Sequence, residues 1–251
     1  MKRFFNVQWV VFVGLLSLFG WSAAEATSFS ISDDYIGGTT NGIPSKYLHN
    51  GGDVIAGVGQ ANDFDIDGMD VEFTNDGNLR VEIQTDYQNG TLKTEYGDLF
   101  ISTDGWEPFE EDGSPNDVAT TGTTWEYAFD VSDPNLYDIT DDQDHIRLSN
   151  DVAESNWAYY RKNQEVQVDS AGLTPVKTGG SATFANGNFS MEFAIAGLGF
   201  NPDHIGFRWT MTCANDVIEG GTAPVPEPTT LALLGLGFIG MAVFRLRAHR
   251  K

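Results

Sequence analysis

The strongest constraint on the fold is a two-residue alternation of apolar and polar side chains that recurs along the chain. In "NLRVEIQT" the apolar residues Leu79, Val81 and Ile83 are separated by polar ones. Successive side chains of a β-strand point to opposite faces of the sheet, so this pattern predicts a strand with one buried face. The same period occurs in "WEYAFDV" (Trp125, Tyr127, Phe129, Val131), "NFSMEFAI" (Phe189, Met191, Phe193, Ile195) and "HIGFRWTM" (Ile205, Phe207, Trp209, Met211).

Shorter strand candidates and turn signals extend this pattern. The candidates are "DLFIS", "HIRLS" and "EVQV", and the turn signals are Asn75-Asp76-Gly77-Asn78, Asn89-Gly90, Asp104-Gly105 and Gly179-Gly180. Only "AESNWAYYRKN" suggests a short helix. Many short strands separated by turns predict an all-β domain over residues 27–222, a single antiparallel β-sandwich of jelly-roll type.

The charge distribution limits the partners of this domain. The 251 residues include 36 acidic and 14 basic side chains, for a formal net charge of −22. Residues 27–226 hold 8 of the basic and 34 of the acidic side chains, and 8 minus 34 gives −26. Such a surface repels phosphate backbones and anionic lipids, which argues against nucleic-acid binding and favours cations or neutral polymers.

The first 26 residues have the three parts of a secretory signal peptide. Lys2 and Arg3 precede the apolar stretch "VVFVGLLSLFGW", and Ala24-Glu25-Ala26 follows with small residues on both sides of a cleavage point. Signal peptidase is therefore predicted to recognise Ala24 and Ala26 and to remove residues 1–26, so that the mature chain starts at Thr27. An uncleaved anchor is the alternative, and the short apolar run disfavours it.

The C-terminus has a second three-part pattern. A proline-rich linker (residues 223–228) precedes an uncharged run (residues 229–244) and a basic tail (residues 245–251) that contains Arg245, Arg247, Arg250 and Lys251. At about 1.5 Å per residue the run would form a helix about 24 Å long, which can cross a bilayer core of about 30 Å if the flanking arginines extend to the interface. The basic tail is then cytoplasmic and the acidic domain lies outside. A helix packed into the domain core is the alternative, and the proline boundary argues against it.

Val225-Pro226-Glu227-Pro228, together with the Gly/Leu-rich run and the terminal arginines, resembles the PEP-CTERM sorting signal of exported Gram-negative bacterial proteins. The resemblance implies that a membrane-embedded exosortase recognises Pro-Glu-Pro and removes the tail. A Pro-x-Pro segment cannot continue a helix and stays extended, so a processing enzyme can reach it. The expected precursor is anchored in the inner membrane with a periplasmic domain, and the expected mature form is at the cell surface or extracellular.

The domain itself is similar to a recurrent ectodomain of PEP-CTERM proteins. The similarity is carried by "DDYIGG", "FDIDGMDVEF", "GDLFISTDGW", "TTWEYAFDV" and "GFRWTMTCANDVIEG", with Ala214 where that family has a glycine. It implies an extracellular β domain. Tails of this kind accompany exopolysaccharide production, so the resemblance also implies association with exopolysaccharide or a biofilm matrix.

One acidic segment is a candidate calcium site. "DFDIDGMD" follows the D-x-D-x-D-G order that opens a calcium loop, with the candidate ligands Asp63, Asp65, Asp67 and Asp70. Position 12 of such a loop would be Thr74 instead of the Glu that closes an EF-hand, so Ca²⁺ is permitted but not required. The alternative is a solvated acidic strand whose Phe64 and Ile66 face the core.

Two further groups of residues are weaker candidates for binding. "TDDQDH" offers Asp141, Asp142, Asp144 and His145 to a metal, although an acidic loop is the simpler interpretation. Trp106 follows an Asp-Gly turn and is the predicted ligand-stacking residue, because loop aromatics often contact ligands; capping of the core is its alternative. Trp157, Tyr159 and Tyr160 form a second aromatic group.

The sequence assigns no catalytic residue. Glu126 and Glu192 are expected on outward-facing strand positions without a recognisable catalytic motif, and there is no G-x-S-x-G or H-E-x-x-H segment. The lone cysteine, Cys213, excludes an intrachain disulfide and is expected to be a packing residue. The expected function is therefore that of an exported structural or adhesive protein. A secreted polysaccharide-acting hydrolase and a calcium-dependent carbohydrate-binding module are the alternatives.

Overall fold

Short antiparallel strands make up almost all the regular structure. The computed structural model describes residues 26–33, 48–49, 54–55, 61–111, 114–115, 118–152 and 160–222. In chain order the strands are β1 (Thr27–Ser32), β2 (Leu48–His49), β3 (Val54–Ile55), β4 (Ile66–Phe73), β5 (Asn78–Thr85), β6 (Leu99–Ser102), β7 (Glu110–Glu111), β8 (Ser114–Pro115), β9 (Tyr127–Asp130), β10 (Asn135–Asp138), β11 (Ile146–Leu148), β12 (Glu165–Val168), β13 (Ser181–Ala185), β14 (Asn188–Ala194), β15 (Ile205–Thr210) and β16 (Val217–Thr222).

Helical structure is slight in these ranges. It consists of α1 (Ser149–Val152) and of 3-10 turns at Ala61–Phe64, Thr91–Lys93 and Gln143–His145. None of the helices in the described ranges has the length and apolar character needed to cross a membrane. The all-β prediction is confirmed, while the jelly-roll connectivity stays a prediction.

The first sheet has the strand order β1-β4-β5-β14-β13, with every neighbouring pair antiparallel. As the alternation predicted, Leu79, Val81 and Ile83 are fully buried, and Val81 is the register partner of the buried Met191. The predicted turn at residues 75–78 joins β4 to β5, and its Gly77 has a φ of 83° that favours glycine. The strands and turn of this sheet therefore follow local sequence closely.

The other face of the first sheet is polar and largely exposed. Arg80 of β5 forms ion pairs with Glu72 at 2.8 Å and with Glu192 at 3.1 Å, and all three side chains are more than a third exposed. Glu192 therefore faces outward, as the alternation predicted.

The second sheet has the order β10-β9-β6-β15-β16 and packs against the first through a shared apolar core. The rings of Phe129 (β9) and Phe193 (β14) stack with their centroids 4.4 Å apart, and Phe29 (β1) lies 6.1 Å from Phe207 (β15). One continuous hydrophobic core therefore joins the two sheets.

The opposite face of the second sheet is also buried, which differs from the predicted half-exposed strands. A second apolar cluster on this face consists of Phe100, Trp125, Ala128, Tyr137, Ile139 and Val168. Val168 belongs to the hairpin formed by β11 and β12, which covers this face. Alternation along a strand identifies one apolar face but does not indicate whether another layer covers the polar one.

Two sequence-based expectations for this region are wrong. Trp125 was expected to share a face with Tyr127 and Phe129, but β9 begins at Tyr127, so the two-residue period does not extend back to Trp125, which belongs to the outer cluster. Glu126 was expected to face outward but is only 9% exposed. Its carboxylate accepts a hydrogen bond from the backbone N–H of Thr103 at 2.7 Å.

Candidate functional site

The last strand ends next to the predicted sorting segment. β16 pairs with β15 along its whole length, with Val217 opposite Thr210 at one end and Thr222 opposite Ile205 at the other. Residues 217–220 of β16 are buried. Ile31 of β1 packs so closely on Gly220 that a Cβ there would lie 2.6 Å from its Cγ2. β16 is therefore an integral part of the domain. The linker, uncharged run and basic tail predicted over residues 223–251 lie outside the described residues, as does residue 24 of the predicted cleavage site.

Three carboxylates from distant parts of the chain meet at the start of β4. One carboxylate oxygen each from Asp33, Asp65 and Asp216 lie within 4.8 Å of one another. Asp216 is fully buried, and its two oxygens accept backbone N–H bonds from Ile66 and Val217, each at 2.8 Å. Hard oxygen donors of this kind suit Ca²⁺, and a cation would offset the mutual repulsion of the three charges.

The predicted calcium loop is only partly represented in this cluster. Asp65 belongs to it, but Asp63 lies in a 3-10 turn and Asp67 is exposed beside a register shift between Ile66 and Gly68. Asp70 lies on the outer face of the first sheet and accepts a hydrogen bond from Gln84 Nε2 at 2.8 Å.

Sequence reasoning missed the two partners of Asp65. Asp33 follows β1 and Asp216 precedes β16, so both are far from Asp65 along the chain. No spacing rule connects them, and only the pairing of the strands brings them together.

The second acidic candidate is partly assembled around a histidine. Asp142, Asp144 and His145 have ligand atoms within 4.8 Å of one another. The Nδ1 of His145 lies 2.6 Å from the carbonyl oxygen of Asp169, and this hydrogen bond, with smaller contributions from the nearby carboxylates, raises the pKa of His145. This hydrogen bond engages only Nδ1 and leaves Nε2 for another partner, an arrangement compatible with a metal ligand as well as with a hydrogen-bonded acidic loop, so both interpretations stay predictions.

One buried carboxylate has a strongly perturbed acidity. Burial, opposed by backbone hydrogen bonds and reinforced by the neighbouring Asp130, raises the pKa of Asp98 from 3.8 to about 8. The two oxygens of Asp98 accept backbone N–H bonds from Val131 at 2.8 Å and from Val168 at 2.7 Å. Asp98 therefore connects the end of β9 and the end of β12 to the start of β6 through hydrogen bonds. These contacts give Asp98 a role in stabilising the fold.

A cavity of about 350 Å³ opens between the loop at residues 119–125 and the hairpin of β11 and β12. Its apolar lining comes from Trp125, Ile146 and Leu148, and its polar lining includes Gln143 and Glu165. The loop contributes the hydroxyl-rich sequence "ATTGTT" to the rim. The cavity therefore combines apolar side chains with several hydrogen-bonding groups.

A buried ionic network lies behind this cavity. Arg208 of β15 forms an ion pair with Glu219 of β16, and its Nε lies 3.4 Å from Glu165 Oε2. Its Nη2 donates to Gln164 Oε1 at 2.5 Å. Glu165 connects the network to the cavity because it belongs to both.

Trp106 anchors a loop to this network. Its indole N–H donates to Glu219 Oε1 at 2.9 Å, and its side chain packs against Val166 and Val217. Gly221 lacks a side chain where a Cβ would lie 3.0 Å from Trp106 Cβ, so the loop can approach β16. This placement matches the core-capping alternative, and ligand stacking by Trp106 stays a prediction. In the second aromatic group Tyr160 packs against the main core, while residues 157 and 159 lie outside the described residues.

The described geometry is that of an all-β domain whose final strand ends at Thr222, shortly before the predicted C-terminal signal in the sequence. A family model described as the PEP-CTERM protein-sorting motif matches residues 224–248, a segment that includes the predicted Val225, Pro226, Glu227 and Pro228. The chain carries this sorting motif, which indicates an exported protein with a membrane-anchored precursor and exosortase as its processing partner. No curated protein and no solved structure matches the chain.

Proposed function

We propose that the mature protein is a structural or adhesive component of the bacterial cell surface or extracellular matrix. The observation that carries this proposal is the position of the sorting motif relative to the fold. β16 ends at Thr222 and the matched motif begins at residue 224. Removal of the tail at Pro-Glu-Pro therefore leaves all the described strands in the released product.

The proposed partner is exopolysaccharide of the biofilm matrix. The net charge of −26 over residues 27–226 favours an uncharged polymer over a polyanion and argues against nucleic acid. The exposed face of the first sheet offers Glu72, Arg80 and Glu192 together with neighbouring polar side chains, a surface suited to hydrogen bonding with hydroxyl groups. The domain is proposed to bind polymer without cleaving it.

The remaining parts of the proposal concern the precursor and the fold. Signal peptidase removes residues 1–26, residues 229–244 span the inner membrane, and residues 245–251 stay in the cytoplasm. The released domain, residues 27–222 with a short C-terminal extension, is a β-sandwich of jelly-roll type at the cell surface or in the medium.

The intact mass of the protein from the surface and medium of the producing bacterium tests the processing steps. We expect a chain that starts at Thr27 and ends near Pro226. A mass that includes the tail to Lys251 would contradict processing. Glu227→Ala should cause retention of the tail, and Asp203→Ala, an exposed change within the domain, serves as the processing control.

Cosedimentation with purified exopolysaccharide of the same bacterium tests the adhesive role. We expect the secreted protein to pellet with the polymer and to stay in solution without it. Sugar release from the polymer over the same incubation would favour the hydrolase alternative. Absence of both cosedimentation and sugar release would contradict the matrix role even if the mass measurement bears out processing.

Calcium binding is a second candidate function, favoured by the meeting of Asp33, Asp65 and Asp216. A cation between β1, β4 and β16 would connect the edge strands of the two sheets, because β1 and β16 are the edges that lie beside one another. The protein would then be a calcium-dependent carbohydrate-binding module, which a rise in melting temperature on addition of Ca²⁺ would test.

A further inference from the structure

We propose that the cavity between the 119–125 loop and the hairpin of β11 and β12 binds one neutral sugar residue. The inference rests on the proposed association with polysaccharide and assigns a specific site to it. The volume of about 350 Å³ lies at the small end of ligand pockets, which span about 300–1,000 Å³. This volume suits a single sugar ring better than a long polymer segment.

The lining of the cavity matches the two kinds of surface that a sugar ring presents. Ile146 and Leu148, both half-buried, offer apolar surface to the C–H groups of a ring, while Trp125, which is 2% exposed, is part of the buried lining. The amide of Gln143 is fixed in orientation, because its Nε2 donates to the carbonyl oxygens of Trp125 at 2.8 Å and of Ile139 at 2.7 Å. Its Oε1 is thus directed by these two bonds and is an acceptor for a ligand hydroxyl.

The loop provides further hydrogen-bonding groups. Within the described part of the chain, the exposed hydroxyls of Thr120 and Thr124 have no protein partner, and both residues line the cavity. Each hydroxyl can both donate and accept, as sugar hydroxyls do. By contrast, Thr121 and Thr123 use their hydroxyls to hold the loop, through Val118 and the backbone N–H of Glu107. The loop therefore contains two positioning threonines and two available ones.

The charge of the cavity selects among sugars. Glu165 lines it, and none of the described residues that line it is a lysine or an arginine. A carboxylate without a cationic side chain beside it in the lining disfavours carboxylated and sulfated sugars. A carboxylate oxygen accepts hydrogen bonds from neutral sugar hydroxyls, so neutral hexoses are the class that the cavity favours.

Saturation-transfer NMR and calorimetry on the full chain in detergent test this site, with glucose, galactose and mannose as probes and glucuronate as the charged comparison. We expect at least one neutral sugar to bind and glucuronate to bind at least about tenfold more weakly. Thr124→Phe should fill the cavity and weaken binding at least about tenfold. Thr174→Phe, at an exposed threonine outside both the cavity lining and the strands of the first sheet, is the matched control and should leave binding unchanged.

A second variant allows the assignment to be tested even if Thr124→Phe disturbs the fold. Thr124→Val removes only the hydroxyl and should weaken the same sugar about threefold or more. Failure of all three neutral sugars to bind, or binding that both Thr124 variants leave unchanged, would overturn the assignment. If the secreted protein still cosediments with exopolysaccharide in that case, the cavity assignment alone is wrong. If cosedimentation also fails, the proposed matrix role fails with it.

Discussion

Arg208 of β15 and Glu219 of β16 are register partners, and their side chains form an ion pair in which each is about 1% exposed. Arg80 of β5 and Glu192 of β14 are also register partners, but their side chains are 46% and 37% exposed. The same kind of cross-strand pair therefore occurs once in the interior and once on the surface. The difference arises because β11 and β12 cover the second sheet and nothing in the described ranges covers the first in this way.

Truncation of Glu219 should be far more damaging than truncation of Glu192. Glu219→Ala removes the acceptor that Arg208 Nη1 and the indole N–H of Trp106 share, and each lost bond of this kind in the interior costs about 1–3 kcal/mol. Glu192→Ala should cost less than about 1 kcal/mol, because exposed pairs contribute little. Urea unfolding of both variants measures the difference, and equal losses would contradict the assignment of a buried network.

Asp98 should make the protein less stable as pH rises toward neutrality. The pKa of Asp98 is about 8 in the fold against an ordinary value of 3.8, so between these values the folded state holds a proton that the unfolded chain has lost. The stabilising contribution is complete below about pH 4 and is lost as pH rises through about 8.

Asp98→Asn isolates this effect. Its amide does not titrate, so the stability advantage of the natural protein over the variant should be largest near pH 4 and should shrink as pH approaches 8. The free energy of unfolding of both proteins across this range is the measurement. Parallel pH profiles would show that Asp98 is not protonated in the fold.

The three-carboxylate cluster should respond to calcium in a residue-specific way. At ten times its dissociation constant, Ca²⁺ would add about 1.4 kcal/mol to the free energy of unfolding and raise the melting temperature. Asp65→Asn should remove this rise, whereas Asp67→Asn should retain it, because Asp67 is exposed and outside the cluster. A rise that Asp67→Asn removes and Asp65→Asn keeps would instead support the linear calcium loop.

Ala214 should tolerate replacement by glycine unusually well. Its φ of 46° is in the left-handed region, which destabilises an alanine by about 1 kcal/mol. Glycine relieves this strain but loses the burial of the methyl group, about 0.8 kcal/mol, and adds the entropic cost of a glycine in the unfolded chain. The relief of strain therefore offsets the lost burial and part of the entropic cost. Ala214→Gly should therefore change stability by less than about 0.5 kcal/mol.

Ala128→Gly is the matched comparison for this substitution. Ala128 is also fully buried but lies in β9, where no left-handed strain is relieved, so its replacement should cost about 1.5 kcal/mol. Thermal unfolding of the two variants side by side checks this. A larger loss for Ala214→Gly than for Ala128→Gly would contradict the strain argument.

Cys213 should be inert in the folded protein. It is 1% exposed, and burial raises the pKa of its thiol to about 12. The reactive thiolate is therefore scarce at about pH 8, and alkylating reagents cannot reach the sulfur. Iodoacetamide should modify Cys213 only after unfolding in urea, as read by intact mass. Rapid modification of the native protein would show that this part of the chain opens.

Local patterns predicted the strands of the first sheet well. Leu79, Val81 and Ile83 are buried as their alternation required, and the turn before them has the glycine conformation expected at Gly77. The departure from glycine at Ala214 also identified a position with a positive φ. These features depend on neighbouring residues, so a single stretch of sequence contains the information.

The candidate sites depend on contacts between distant residues and were mostly missed. Asp65 stood in a motif, but its partners Asp33 and Asp216 lie at the ends of other strands. The burial of Arg208 follows from the layer formed by β11 and β12, which no periodicity in "HIGFRWTM" reveals. Glu165 likewise joins the cavity only through the fold.

The short distance between β16 and the sorting motif constrains the enzyme that processes it. Four residue steps separate Thr222 from Pro226, and even a fully extended chain covers only about 14 Å in that interval. This is little more than the diameter of one α-helix with its side chains, about 10–12 Å. If the domain folds before cleavage, at most about one helix of the exosortase can lie between the folded domain and the Pro-Glu-Pro segment. The substrate groove of the exosortase must then open close to the surface of the folded substrate domain.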